Sequence, residues 1–266
     1  SRRNIARAKL EIAEGLKAGG ALIINGDEPL LKEELAQLAL PADASVITFG
    51  ESENCSYRLL KAEGSAEKTA FSALFEGNPV QVEIPVPGRH NALNALAAAA
   101  AGSHLGLAQE EIREGFKQVK LTGMRIERTR AACGAVVLND AYNASPTSVK
   151  AAIRLLRDLG GYRRKVLVLG DMLELGPDEA EFHASIGRQL SPEIADRLYL
   201  YGPLSAHTLQ AAQPQYPEGA VRHFSDKRQL AEALLADVGP DDLVLVKASR
   251  GMRLEEIVFA LEKGGA

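Results

Sequence analysis

The run AVVLNDAYNASPTSVKAAIRLLRDLGGYRRKVLVLGDMLELG, residues 135–176, reads as strand, loop, helix and strand in succession. Residues 135–139 are short and apolar. From Pro146 to Leu159 the apolar residues recur at helical spacing, after a Ser145-Pro146 start that suits proline at the first helical position. Residues 165–170 are apolar again and end at glycine. Continuous apolar strands joined by helices are the signature of a parallel sheet covered on both faces. Working outward, RLYLYG (197–202), AVRHF (220–224) and DLVLVK (242–247) add strands, and helical patterns at 178–190, 226–237 and 253–261 separate them. The stretches 126–130 and 135–138, turning at Cys133-Gly134, are expected to add an antiparallel edge.

Toward the amino end the pattern changes. Residues 4–16 read as a helix whose stripe is Ile5, Ile12 and Leu16; Gly19-Gly20 ends it, and ALIIN (21–25) follows as a short buried strand. Runs such as YRLLKAE and VQVEIPV, broken by Gly64-Ser65 and Gly77-Asn78-Pro79, read as hairpin strands at a sheet margin. Helices return at 92–101 and 109–119. The change of pattern near Leu121–Met124 divides the chain into two domains, 1–122 and 123–266, of α/β class.

Composition excludes several function classes. A net charge of −4 and a pI near 5.8 lack the basic excess of a nucleic-acid binder, and tryptophan is absent. No apolar run approaches the roughly 20 residues that cross a bilayer. Cys55 and Cys133 cannot make a disulfide framework, and no Cys/His cluster has zinc spacing. The basic start, Ser1 to Asn4, leads into a helix carrying Lys9, Glu11 and Glu14 rather than an apolar signal core, so a cytoplasmic protein is expected.

In open parallel sheets, ligands bind beyond the carboxyl ends of the strands. Those ends read Asp140-Ala-Tyr142-Asn143, Gly170-Asp171-Met-Leu-Glu174, Tyr201-Gly202-Pro203 and Lys247-Ala-Ser249-Arg250. Asp140, Tyr142 and Asn143 sit between a strand and a helix start, where a crevice binds ligand; turn chemistry is the alternative for Asp140 and Asn143. Lys247, Ser249 and Arg250 precede the last helix, whose N-terminus favours anions such as a substrate carboxylate. A simple cap explains them too. Arg125, in TGMRIER, sits at the presumed hinge and could meet a phosphate or ribose, or belong with Arg128 and Arg130 to a solvated edge. Helix capping accounts for Asp171, solvent contact for Glu174, and packing for His183.

Further upstream, PGRHNALN places Gly88 at a turn, His90 and Asn91 at a helix start, and Asn94 one turn on. Asn91 suits an N-cap. The second amide beside an imidazole also suits reading an adenine edge, and both explanations stand. Lys9 falls on the stripe of Ile5, Ile12 and Leu16. It either snorkels past the edge or is desolvated, which lowers a lysine pKa and lets the neutral amine form a carbamate able to bind magnesium.

AKLEI, IINGD, PGRHNALNALAAAA, GMRIE, DAYNASPTSVKAAI, LGDMLELG and VKASRGMRLE occur in this order. Together they resemble the Mur ligase family across nearly the whole chain, and within it the dipeptide-adding branch. The resemblance implies part of a central nucleotide-binding domain followed by a C-terminal Rossmann-like domain with a mostly parallel sheet. It implies an ATP- and magnesium-dependent ligase: ATP phosphorylates a carboxylate of a UDP-N-acetylmuramoyl-tripeptide, and the amine of D-alanyl-D-alanine attacks the acyl phosphate. It also implies roles. Lys9 matches the carbamylated, magnesium-binding lysine; His90, Asn91 and Asn94 match the adenine pocket; Arg125, Asp140 and Asn143 match positions that close on ATP. Lys247, Ser249 and Arg250 match the loop near the incoming dipeptide. A monomer is expected, with no nucleic-acid partner.

The family's phosphate loop, G-x-x-x-x-G-K-[ST], has no counterpart, since the chain contains no Gly-Lys pair. The chain is therefore expected to be the carboxyl-terminal part of such a ligase and inactive by itself. Two other expectations compete: a different superfamily member, amino-acid-adding or folylpolyglutamate-forming, and a non-catalytic nucleotide-binding remnant.

Overall fold

The computed structural model describes residues 1–119 and 123–265, which fall into two compact units. Residues 1–64 and 68–119 form the first; the second holds 123–265 together with 65–67. The boundary expected at Leu121–Met124 falls mainly on residues 120–122, which lie outside the described residues.

Among the described residues, the first unit carries a five-stranded sheet in sequential order. Its strands are β1 (Ala21–Asn25), β2 (Ser45–Gly50), β3 (Tyr57–Gly64), β4 (Thr69–Phe75) and β5 (Asn78–Ile84), with helices α1 (Arg2–Leu10), α2 (Pro29–Leu35), α3 (Arg89–His104) and α4 (Gln109–Lys117). β1, β2 and β3 are parallel, and β3, β4 and β5 are antiparallel. The hairpin between β4 and β5 turns on Glu76 and Gly77, both at positive φ (48° and 86°), as a two-residue turn matched to strand twist requires. Pro79 follows on β5, an edge strand that tolerates a missing amide donor. α3 buries Ala92, Ala95, Leu96, Ala99 and Ala100 and packs on β1 to β4; small side chains let its backbone approach the sheet closely.

The expected opening helix runs as α1 and then a 3-10 turn over Glu11–Gly15. Two residues of its expected stripe face outward instead: Ile5 is 61% and Ile12 71% exposed, while Ala6, Leu10 and Ala13 are buried and the third, Leu16, is partly buried against the same core. Leu10 and Ala13 pack with Leu22 and Ile24 of β1. Arg3 and Arg7 both reach the buried Glu34 of α2, tying α1 to α2.

The second unit carries β6 (Glu127–Arg130), β7 (Val136–Asp140), β8 (Arg164–Gly170), β9 (Arg197–Tyr201), β10 (Val221–Phe224) and β11 (Asp242–Lys247). Its helices are α5 (Pro146–Asp158), α6 (Glu179–Gly187), α7 (Ser205–Ala212), α8 (Lys227–Asp237) and α9 (Glu255–Lys263). The sheet order is β10-β9-β8-β11-β7-β6, all parallel except β6, which is the expected antiparallel edge. β11, last in sequence, inserts between β7 and β8.

Side-chain alternation divides the core by shape. Leu138, Leu167, Leu169, Leu198, Leu200, Leu243 and Leu245 turn to one face, against α5 and α6. Val137, Val166, Val168, Tyr199, Val244 and Val246 turn to the other, against α8 and α9. Each such side chain contributes about 1.5–3 kcal/mol by leaving water, and both faces must be covered to collect it. The helical crossovers that cover both faces return each of these strands in the same direction, so their carboxyl ends and the loops after them gather at one edge. No described helix is long and apolar enough to cross a membrane.

Candidate functional site

The carboxyl ends of β7, β8, β9 and β11 are tied together by side chains from the sequence-predicted positions. β7 ends on Asp140 itself. Asn139 Oδ1 accepts from the Ala141 amide (3.2 Å) and Asn143 Oδ1 from the Ala144 amide (2.8 Å), which folds residues 140–144 into a tight turn. Ser145 then caps α5: its Oγ accepts from Ser148 N (3.3 Å), and Ser148 Oγ accepts from Ser145 N (2.9 Å). Pro146 takes the first helical position, as the sequence indicates.

Lys247 and Asp140 are register partners on adjacent parallel strands, so their side chains leave the same face at the same level. Lys247 Nζ donates to Asp140 Oδ2 (2.7 Å) and to the Asn143 carbonyl (2.9 Å), with the lysine side chain 3% and the aspartate 14% exposed. Ser249 is also buried. Its Oγ accepts from the Leu173 amide (2.9 Å) and donates to the Ala144 carbonyl (3.3 Å), and its own amide donates to the Asp171 carbonyl (3.1 Å). Lys247 and Ser249 thus face into the unit, while Arg250 is exposed and pairs with Glu255 (2.7 Å). The expected anion site at the last helix is taken by the protein: α9 begins at Glu255, and Glu255 and Glu256 fill its first turn.

Asp171 is buried at the end of β8 and caps α7, accepting from Leu204 N (3.2 Å) and Ser205 N (2.7 Å). Burial pushes its carboxyl above the ordinary aspartate value, only partly offset by those two amides. Gly202 makes this contact possible: at φ +107°, a Cβ there would stand 2.6 Å from the Asp171 carboxylate. His183 is a packing residue, as expected; its Nε2 accepts from Met172 N (2.9 Å) and Nδ1–H donates to the Glu179 carbonyl (2.7 Å). Glu174 is exposed.

Arg125 precedes β6 rather than lying on it, so it does not share a strand face with Arg128 and Arg130. Its guanidinium lies 4.6 Å from the ring centroid of Tyr142. Met124 and Ile126, either side of it, have φ of 61° and 52°; for a β-branched residue this is uncommon and strained. The Tyr142 amide donates to the Met124 carbonyl (3.1 Å) and Glu127 Oε2 accepts from Met124 N (2.9 Å), holding the kink. The stack of Arg125 on Tyr142 was not foreseeable from spacing alone.

In the first unit, α3 is capped by Gly88 at φ +103°, not by Asn91. A Cβ at Gly88 would stand 2.6 Å from His90 Cε1, so glycine is needed where the imidazole folds back. The buried Asn91 donates its Nδ2 to the Pro87 carbonyl (2.8 Å) and accepts from Asn94 Nδ2 (3.3 Å); Asn94 itself is exposed. Arg89, inside the same motif and passed over in the sequence, pairs with Glu51 (2.8 Å). Lys9 is exposed on α1 beside Ile5 and Ile12, and among the described residues no group of three or more His, Cys, Asp or Glu side chains is placed to hold a metal ion.

Residues 1–102 match the Mur ligase middle domain, and residues 124–250 match the Mur ligase, glutamate ligase domain. The chain belongs to the Mur ligase family. This Mur ligase chain is 44% identical over 258 residues to the UDP-N-acetylmuramoyl-tripeptide–D-alanyl-D-alanine ligase of Bacillus subtilis, covering 97% of the chain and 54% of the relative. MurF from Acinetobacter baumannii shares the fold at a TM-score of 0.85 and 26% identity, over 99% of the chain and 56% of that protein. MurF from Thermotoga maritima, solved in complex with ADP, superposes at a TM-score of 0.83 and 24% identity, over 99% and 58%. The chain spans about half the length of the relatives it matches.

Proposed function

We propose that this Mur ligase chain serves an ATP-dependent ligase that joins D-alanyl-D-alanine to a UDP-N-acetylmuramoyl-tripeptide through an acyl phosphate, in peptidoglycan synthesis. One observation carries the reading: 44% identity to the Bacillus subtilis ligase of that name along 97% of the chain. ADP in the Thermotoga maritima relative supports adenine nucleotide as the energy source. A reaction that consumes ATP belongs in the compartment that supplies it, the cytoplasm.

The residues take roles that fit their positions. In the first unit, His90 and Asn94 offer ring nitrogen and amide groups to an adenine edge, with Asn91 holding Asn94 in place. In the second, Asp140 accepts hydrogen bonds from nucleotide hydroxyls, Asn143 shapes its loop, and Arg125 meets phosphate. The exposed Arg250 is the member of its loop with access to a substrate carboxylate; Lys247 and Ser249 serve from behind. Magnesium would offset charge on the transferred phosphoryl group. Lys9 as a carbamate supplies one ligand at most, and the described residues do not complete a site for that ion, so no step is assigned to it.

The test supplies the complete gene product with ATP, tripeptide nucleotide and D-alanyl-D-alanine. Phosphate release that needs all three is expected, and none from the 266 residues alone. Release driven by a single amino acid or by glutamate, with no response to the dipeptide, would move the chain to another branch. ATP binding without turnover under any acceptor would make it a non-catalytic nucleotide-binding module.

A further inference from the structure

The geometry points to Lys247 as a positioning residue that sets Asp140, and the loop behind it, for nucleotide. The inference deepens the ligase reading above and rests on it. It differs from what the sequence suggests, a lysine reaching for the incoming dipeptide.

Three observations lead there. The ammonium is buried, and two of its protons are committed, to Asp140 Oδ2 at 2.7 Å and the Asn143 carbonyl at 2.9 Å. A donor so placed does not meet a ligand. Of the pair, Asp140 is the more exposed, at 14% against 3%. The carboxylate is therefore the face this pair presents outward, at the strand end where open sheets bind ligands.

The second observation is register. Lys247 stands opposite Asp140 because β11 inserts beside β7 with Val246 opposite Asn139 and Leu245 opposite Leu138. Both side chains emerge on the face that carries α5, under the helix start. A shift of one residue would turn Lys247 to the other face. The pair is as rigid as the sheet.

The third is the reach of the loop. By holding the Asn143 carbonyl, Lys247 closes residues 140–143, and Tyr142 within that loop carries Arg125 on its ring at 4.6 Å. One ammonium thus fixes a carboxylate and, through the loop, a guanidinium. A buried ion pair is a poor way to gain stability, since apolar replacements of similar volume often match it. It is a good way to hold an ionised aspartate in one direction, and the ammonium offsets a charge that would otherwise repel a polyphosphate.

The test is a steady-state cycle in the complete gene product, with Lys247→Met, Asp140→Asn and the double variant, varying ATP and dipeptide separately. Lys247→Met should raise the KM for ATP about tenfold or more, the size expected for one displaced charged hydrogen bond, and leave the KM for D-alanyl-D-alanine unchanged. The double variant should match Asp140→Asn alone, because a lysine without its aspartate has nothing to position. A raised dipeptide KM with an unaltered ATP KM would overturn the proposal, as would effects of the two changes that multiply. Lys247→Met takes away the buried ammonium that meets Asp140 Oδ2; should that variant not fold, the double variant, which has neither charge, is compared with Asp140→Asn. Turnover absent from the wild type would remove the ligase reading instead. Hydrogen exchange at the Ala141 and Ala144 amides then decides the positioning: faster exchange in Lys247→Met supports it, and unchanged exchange refutes it.

Discussion

Replacing Ser249 with alanine separates a residue that touches substrate from one that braces the loops. The hydroxyl accepts from the Leu173 amide at 2.9 Å and donates to the Ala144 carbonyl at 3.3 Å, while the Ser249 amide keeps its bond to Asp171. Alanine strands the Leu173 N–H, which costs about 1–3 kcal/mol when it is shielded from water. Leu173 is only partly buried, so the lower half of that range applies. The longer bond to Ala144 adds roughly 0.5 kcal/mol. The total is about 2 kcal/mol, or a drop of roughly 4–8 °C in the Tm of a domain this size. Far-UV circular dichroism during heating reads the loss, and dipeptide saturation kinetics of the complete gene product read the function. Lower Tm with an unaltered dipeptide KM is expected. A Tm within about 1 °C of wild type, combined with a raised dipeptide KM, would refute the bracing role and return Ser249 to the substrate.

Asp242 is fully buried between Arg163 and Arg164; burial alone would raise its carboxyl, but the Arg164 hydrogen bond, the Gly239 amide and the two guanidinium charges outweigh that and hold it below the usual range. Asp242→Asn should cost roughly 2 kcal/mol, less than a fully buried pair because Arg163 is half exposed and Arg164 retains Asp237. A depressed carboxyl stabilises fully above its unfolded value, near 3.9, and ceases to as pH falls through the folded one. The gap between wild type and variant, measured by urea unfolding, should therefore close below about pH 4; a gap constant from neutral pH to acid contradicts the ion-pair account. Arg125→Ala removes an exposed stack worth about 0.5–1 kcal/mol, so Tm should barely move while the KM for ATP rises; an unaltered KM would leave Arg125 a surface residue. Lys9→Ala, on an exposed helix position, should keep stability within about 0.5 kcal/mol; a larger loss on urea unfolding would show that its methylene stem packs against α1's neighbours.

Much of the second unit was legible because its signals are local. Apolar runs marked β7, β8, β9 and β11, and DLVLVK was bounded to the residue. Ser145-Pro146 announced α5, and strand ends marked where polar residues gather. Two helices escaped: α2 is seven residues and α7 eight, too short for a stripe to repeat. Asn91 looked like a cap because its side chain suits one, whereas the actual cap is Gly88, chosen by a φ no side chain advertises.

The sequence by itself determined the element types, the parallel class of the second sheet, and which residues arrive at its carboxyl edge, since hydrophobic period and turn chemistry act within a few residues. Only the tertiary structure decided which face of α1 turns inward, because a period says that residues share a stripe and not which stripe meets the core; the face that meets Leu22 and Ile24 of β1 carries Leu10, with Ala13 following in the 3-10 turn. It alone joined Lys247 to Asp140 across 107 positions and Asp171 to Ser205 across 34. Those contacts depend on where β11 inserts and on how each loop folds over its neighbour, and such placements are settled by packing both faces of the whole sheet at once.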